Sequence, residues 1–381
     1  MQILQPDLPH IVFLFSDTGG GHRSASEAII EAIELEFPNQ ITSEMVDLFR
    51  DYAPPPFDLA SEIYPPLSRM PKVWGFGYRH TNNMRSTRNI NNIVWPYIRR
   101  SVHKLVKEHP GDLIVSVHPL MNTLILRTLK NRNNPFITVV TDMVSTHASW
   151  FDSRADLIVV PTESAKQRGI EFGVPAEKLQ VVGLPVADRF CRPEGDSTEI
   201  RQKYGWPLDM PIILLVGGGD GMGPLEKTAH AINEAELKAA LVIIAGRNRR
   251  LKTRLEKYPW TMPVSIYGFV RAMPEFMQAA NVLVTKAGPG TICEAFIAGL
   301  PIILYSKIPG QEDGNVDYVV KEGTGVWAPE PEQVVAALQT WLNAPELRWQ
   351  AAFECRRVAR PNAAREIARI LAGRVGVTHP V

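Results

Sequence analysis

A chain of 381 residues that is 45% hydrophobic and carries a formal net charge of +1 has the apolar content for ordinary soluble cores and the length for two or three domains. Its three cysteines, Cys191, Cys293 and Cys355, are far apart and odd in number, with no CxxC or Cys/His cluster, which argues against a disulfide framework or a zinc site. No stretch of about 18 uninterrupted apolar residues offers a bilayer span, and the short run His10 to Phe15 meets Ser16 and Asp17 without a basic leader, unlike a signal peptide, so an intracellular protein is expected.

The first element in chain order is strand-like HIVFLF, 10 to 15, which runs into SDTGGGHRS and then a helix through about Phe37. GGGHRS lacks the Lys-Ser/Thr pair of a Walker A loop and is not a spaced GxGxxG. Ser24 and Glu27 stand as S-x-x-E, a capping box that starts the helix at Ser24 and leaves Gly20, Gly21 and His22 just outside its N-terminus. The helix dipole there disfavours imidazolium, so the His22 ring is expected to stay neutral and able to accept a proton. A ring that only hydrogen-bonds the loop or an anion is the plainer alternative.

From Ser61 to Lys107 the chain holds nine Arg/Lys, among them Arg85, Arg88, Arg99 and Arg100, against the single acid Glu62, a local charge of +8 that leaves −7 for the remainder. Tyr64, Trp74, Phe76, Tyr78, Trp95 and Tyr97 are interleaved with these cations. The combination suits an anionic lipid surface better than nucleic acid; a solvated helical face with core aromatics is the competing reading.

Strand candidates DLIVSV (112 to 117), PFITVVT (135 to 141) and DLIVVP (156 to 161) follow. After the second of these stands TDMVSTHASWF, 141 to 151, where Asp142, His147 and Trp150 are candidates for the acceptor side, Asp142 orienting an imidazole or a hydroxyl. Asp142 capping a turn and Trp150 lying in the core compete equally. A boundary is expected in VVGLPVADRFCRPEGDSTE, 181 to 199, where an apolar strand gives way to Pro, Gly and charges. The domains are expected at 1–190 and 191–350, with a helical segment at 351–381 crossing back to the first.

The second half opens as the first does, with PIILLV (211 to 216), the glycine turn GGGDGMGP and a helix. Gly218 and Gly219 of that turn, and Arg247 after ALVIIAG (240 to 246), are candidates for the cleft floor beside a pyrophosphate or sugar. Phe269 and Val270 end VSIYGFV (264 to 270) and are candidates to hold a base through backbone contacts, their side chains reading more as core. Next, the strand NVLVTK (281 to 286) leads through Lys286 into AGPGT and the helical-looking Thr291 to Ala298. Backbone N–H groups of Gly288, Gly290 and Thr291 would meet the positive end of a helix beside a cation, while Pro289 fixes its own backbone angle, which suits a diphosphate. Glu294 carries two readings: the end of a T-x-x-E capping box begun by Thr291, or an acceptor for ribose hydroxyls. After PIILYS (301 to 306), Gln311 and Glu312 are expected to fan from an exposed turn toward a hexose.

Short buried-looking strands alternating with helices are the pattern of α/β parallel sheets covered on both faces, so two doubly wound, Rossmann-like domains with a cleft between them are expected. SDTGGGHRSASEAI, the TD...H..W block, VVGLPV, LLVGGGDGMGP, AGRN, GFV, TKAGPGTICEA and GLPIILYSKIPGQEDGNVDYVV together resemble the monogalactosyldiacylglycerol synthase family, a branch of the GT-B glycosyltransferases related to bacterial diacylglycerol glucosyltransferases and to the transferase that makes lipid II. The resemblance implies His22 as the base, Lys286 to Thr291 at the diphosphate, Glu294 at the ribose, and Gln311 with Glu312 at the hexose, the base held by Phe269 and Val270 then being uracil. It implies an inverting transfer from UDP-galactose, or UDP-glucose, to diacylglycerol, with no obligatory metal. Trp74, Arg85 and Arg88 would serve acceptor or membrane contact, and the enzyme would lie in the cytoplasm, peripherally on the inner face of the cell membrane.

Overall fold

The computed structural model describes residues 8–17, 21–59, 62, 70–129, 134–192, 195–219, 221 and 223–378. The chain divides into two compact units, one formed by Met1–Asp188 with Asn362–Val381, the other by Arg189–Pro361.

The first unit holds a six-stranded parallel sheet, β1 His10–Phe15, β2 Thr42–Asp47, β3 Leu113–Ser116, β4 Phe136–Val139, β5 Leu157–Val160 and β6 Leu179–Val181, in the order β2-β1-β3-β4-β5-β6. Its central strands LIVS, FITV and LIVV are buried along their whole length, because helices cover both faces of a parallel sheet. The helices are α1 Gly21–Glu36, α2 Leu48–Tyr52, α3 Pro71–Thr81, α4 Met84–Glu108, α5 Asn122–Thr128 and α6 Glu163–Glu171. After β1 the chain first adds β2 on one side and then β3 on the other, so the strand order reverses between β1 and β3. In doubly wound sheets ligands bind at such a switch point, outside the carboxyl ends of the strands.

The second unit repeats the arrangement with β7 Ile212–Val216, β8 Ala240–Ile244, β9 Val264–Tyr267, β10 Val282–Lys286, β11 Ile302–Ser306 and β12 Gly325–Trp327, ordered β12-β11-β10-β7-β8-β9 and all parallel. Here the switch lies between β7 and β10. The helices α7 Asp188–Cys191, α8 Ser197–Tyr204, α9 Leu225–Glu234, α10 Arg249–Glu256, α11 Met273–Ala279, α12 Pro289–Ala298, α13 Asp313–Lys321, α14 Pro331–Asn343 and α15 Pro345–Val358 follow in chain order.

The return to the first unit starts later than residue 351. Helix α15 packs on α12 within the second unit, and α16, Ala363–Arg374, packs on α1. Ile367 and Leu371 of α16 share a buried cluster with Ile29 and Ile33 of α1. Beside them the buried Glu36 carboxylate accepts from Arg365 Nη1 at 2.6 Å and Arg369 Nε at 2.7 Å. Burial alone would raise the Glu36 pKa; the two arginines outweigh it and hold the carboxyl below its usual value.

Helix α4 is amphipathic by residue spacing. Ile98, Val102, Leu105 and Val106 enter the first unit's core, while Ile90, Ile93 and Tyr97 are exposed, as are Arg85, Arg88, Arg99 and Arg100. On α3, Val73 and Phe76 are exposed too, and Trp74 is half-buried. No described helix is long and apolar enough to cross a membrane.

Candidate active site

At the first unit's switch point stands His22. The structure starts α1 at Gly21, so His22 lies inside the first helical turn and Ser24 is not the cap, contrary to the capping-box expectation. Gly20 lies outside the described residues. The His22 ring packs edge-on against His118, just past β3, at 4.6 Å between centroids, and 5.9 Å from the Trp150 ring. Its Nδ1 is 2.9 Å from the Thr141 hydroxyl, at the end of β4. Burial pushes the His22 pKa down to about 4, against a backbone hydrogen bond with Val117 that pulls it up. The ring is therefore neutral at physiological pH, as the sequence implied, but through loss of water more than through the helix dipole.

Around it, the 141–151 segment behaves as framework. Asp142 Oδ2 accepts from Trp150 Nε1 at 2.7 Å, and Trp150 is 0% exposed. Trp150 is thus a core residue rather than part of an acceptor face, which decides between the two readings offered for it. His147 caps the 3-10 turn Ala148–Trp150 through Nδ1, 3.1 Å from the Ser149 amide, and its Nε2 is 3.1 Å from the Thr81 hydroxyl at the end of α3. Asn82 accepts from the Ala148 amide at 2.9 Å. His147 therefore ties α3 to the 141–151 segment. Thr141 and His118, which pack on His22 at the carboxyl ends of strands, were not singled out by the sequence reading.

At the second unit's switch point, three loops converge. Gly218, at the end of β7, adopts φ +71°, and a Cβ there would lie 3.3 Å from Lys286 Cε at the end of β10. A side chain at that position would be strained and would crowd the lysine. The loop after β8 is locked to the same turn by the Arg247 amide, which donates to the Gly219 carbonyl at 2.8 Å. Gly246 (φ +60°) makes this approach possible, since a Cβ would fall 2.4 Å from that carbonyl oxygen. The Arg247 guanidinium sits 4.9 Å from the Phe269 ring centroid, a cation–π contact. Phe269 is 58% exposed and so is not a core side chain, which corrects the sequence reading; Val270 is half-buried beside it.

Lys286 leads into α12, which begins at Pro289 with Gly288 as N-cap. The Gly288 amide is already committed to the Lys286 carbonyl at 2.8 Å. Gly290 and Thr291 occupy the second and third helical positions, where helix geometry leaves the N–H without an intrahelical acceptor. Two donors, not the expected three, thus point out of the turn. The start at Pro289 also removes the capping-box reading of Glu294, which lies in the second turn while the N-cap receives no side-chain bond. Burial pushes the Glu294 pKa up to about 7, partly offset by Arg189.

Glu312 does not fan outward. It is 3% exposed, one oxygen 2.6 Å from Lys286 Nζ and the other accepting from the Ile308 amide at 2.8 Å. Gln311 is half-buried next to it. Asn315 of α13 donates to the Ala287 carbonyl at 2.9 Å and ties this segment to the turn. Among the described residues no group of three or more His, Cys, Asp or Glu side chains is placed to hold a metal ion.

Two parallel six-stranded sheets, each with a glycine-rich switch point, define a GT-B-type α/β protein. The same architecture appears in the crystal structure of Acinetobacter baumannii MurG (TM-score 0.64, 14% identity, 96% of this chain and 99% of that one). It also appears in the Neisseria meningitidis UDP-GlcNAc 2-epimerase bound to UDP-GlcNAc (TM-score 0.63, 14% identity, 96% of this chain and 100% of that one). The family described as Monogalactosyldiacylglycerol (MGDG) synthase matches residues 22–186, and Glycosyl transferases group 1 matches residues 196–355. A probable monogalactosyldiacylglycerol synthase of Glycine max is 36% identical over 373 residues, 93% of this chain and 69% of that protein. Monogalactosyldiacylglycerol synthase 1 of Arabidopsis thaliana is 36% identical over 344 residues, 87% of this chain and 64% of that protein. The chain belongs to the monogalactosyldiacylglycerol synthase family of UDP-sugar glycosyltransferases.

Proposed function

We propose that this protein transfers galactose from UDP-galactose to the free hydroxyl of 1,2-diacylglycerol with inversion, giving a β-monogalactosyldiacylglycerol and UDP. The observation that carries the reading is the arrangement of Gly218, Lys286 and the α12 N-terminus at the second switch point, in a chain of this family. The diphosphate lies against the Gly290 and Thr291 amides with Lys286 beside it, where fixed N–H dipoles and a cation stabilise the charge that develops on the leaving group. Glu312 holds Lys286 in place, Glu294 accepts from the ribose hydroxyls, and Phe269 with Val270 borders the uracil. His22, neutral and buried, takes the proton from the acceptor hydroxyl as it attacks the anomeric carbon.

The cationic and apolar outer faces of α3 and α4 suit contact with an anionic leaflet, into which Phe76, Ile93 and Tyr97 present apolar surface between arginines. Localisation on the cytoplasmic side of a cell membrane belongs to the same reading. The test is the purified protein with diacylglycerol vesicles and UDP-galactose or UDP-glucose in separate reactions, the product lipid and its anomeric form being determined. A β-galactolipid supports the proposal; a glucolipid moves the donor to UDP-glucose, and a new UDP-sugar epimer formed without acceptor overturns the transfer.

A further inference from the structure

A surface helix ordinarily turns its large apolar side chains inward and its polar ones to water. Helix α15, in the second unit, does the reverse. Its inner face is small: Ala351 and Cys355 are buried, with Cys355 Sγ 3.5 Å from the Leu300 and Thr324 carbonyls. Its outer face carries Trp349 and Phe353, one turn apart and 66% and 63% exposed, and Leu347 is exposed on their flank. Arg356 continues the stripe at the next turn and Arg360 stands just past the helix end, both exposed. Arg348 is half-buried, and its burial lowers its pKa. Among the described residues Arg357 pairs with Glu354 and, at 2.8 Å, with Glu322, whereas Arg348, Arg356 and Arg360 form no ion pair.

Two aromatic side chains of about 150–250 Å² each, about two-thirds exposed, offer roughly 300 Å², against the ~800 Å² per partner of a standard protein interface. Apolar surface this narrow, set among arginines without carboxylates, is complementary to a leaflet that presents acyl chains beneath anionic headgroups. We propose that the outer face of α15 is a second membrane-contact surface: Trp349 and Phe353 enter the headgroup–acyl boundary of an anionic leaflet, and Arg348, Arg356 and Arg360 meet lipid phosphates. The proposal rests on the membrane reading given for α3 and α4 and extends it, giving the second unit a bilayer contact of its own.

Hydrogen exchange of the full chain, followed by mass spectrometry with vesicles of phosphatidylcholine alone or mixed with phosphatidylglycerol, tests both contacts separately. Peptides from 345–361 are expected to exchange about threefold or more slowly with the anionic vesicles and at an unaltered rate with the neutral ones. Trp349→Gln with Phe353→Gln should lower partition into anionic vesicles about tenfold, and Arg356→Gln with Arg360→Gln by a similar factor, far-UV circular dichroism staying unchanged. Slowing confined to 71–108 overturns the α15 contact and leaves that of α3 and α4; no slowing anywhere overturns both. Equal slowing with neutral vesicles, or unaltered partition of either double variant, overturns the proposal as well. Slowing of 345–361 that grows with protein concentration without lipid makes the face a contact between copies of this chain instead. None of these readouts needs a donor or a transfer, so a failure of the galactosyltransferase reading is distinguishable from a failure here. Should a double variant not fold, exchange in the wild type decides.

Discussion

The two switch points use the same topology for opposite ends. In the first unit the strand ends close over a ring: His22 is walled by His118, Trp150 and Thr141, and burial drives its pKa down to about 4. In the second unit the strand ends withdraw: glycines at 218 and 246 let backbone approach Lys286 and the Gly219 carbonyl, and the helix start keeps two amides unspent. The contrast teaches that a doubly wound sheet supplies a location, while side-chain bulk at the strand ends decides whether that location is closed over by rings or left open to backbone; on the proposed reading the first serves as proton acceptor and the second as anion cradle.

The sharpest way to break the contrast is to remove the group each site is built around. His22→Ala is expected to cut turnover by at least about a hundredfold while UDP affinity measured by calorimetry stays near that of the wild type. Unchanged turnover would leave His22 as a core ring. Lys286→Ala should act the other way, weakening UDP binding about tenfold or more, since it removes a cation and strands the Glu312 carboxylate in a buried setting. An undisturbed affinity there would separate Lys286 from the diphosphate.

Glu294 sharpens the comparison through pH. Its pKa, raised to about 7 by burial, means that the carboxylate forms as pH rises through neutrality. If the ionised form accepts from the ribose, UDP affinity should increase between about pH 6 and pH 8, and the difference between wild type and Glu294→Gln should grow over the same window. A constant difference would remove Glu294 from the nucleotide. His22, held near 4, predicts no loss of base function until pH falls well below neutrality. The smallest effect is expected from the surface: replacing Arg85, Arg88, Arg99 and Arg100 with Gln should reduce binding to anionic vesicles and its salt sensitivity, with little change in UDP affinity. Equal vesicle binding would return that face to ordinary solvation.

Much of the fold was legible because buried parallel strands are written as unbroken apolar runs. β1, β3, β4, β5, β7, β8, β9, β10 and β11 all lie within runs marked in the sequence. The edge strands β2 (TSEMVD), β6 (LQV, met only at Val181) and β12 (GVW) were not, since an edge strand needs little apolar content, and three residues carry no period. Helix starts misled for a related reason. S-x-x-E and T-x-x-E are local patterns, and at both sites the helix begins earlier, at Gly21 and Pro289, so the acidic residues face something other than the cap. The placement of the glycine turn, Lys286 and His22 at strand-to-helix turns was readable from residue type and position. The partnership of Thr141 with His22, 119 positions apart, was not, and neither was the burial of Glu312, because both depend on which strand ends the sheet order brings together.

The central claim is that a diphosphate rests on the Gly290 and Thr291 amides beside Lys286. A crystal structure with UDP tests it most directly: phosphate oxygens within hydrogen-bond reach of those two amides, with the uracil bordering Phe269 and Val270, is the predicted result. UDP bound away from the β7–β10 switch point would contradict it.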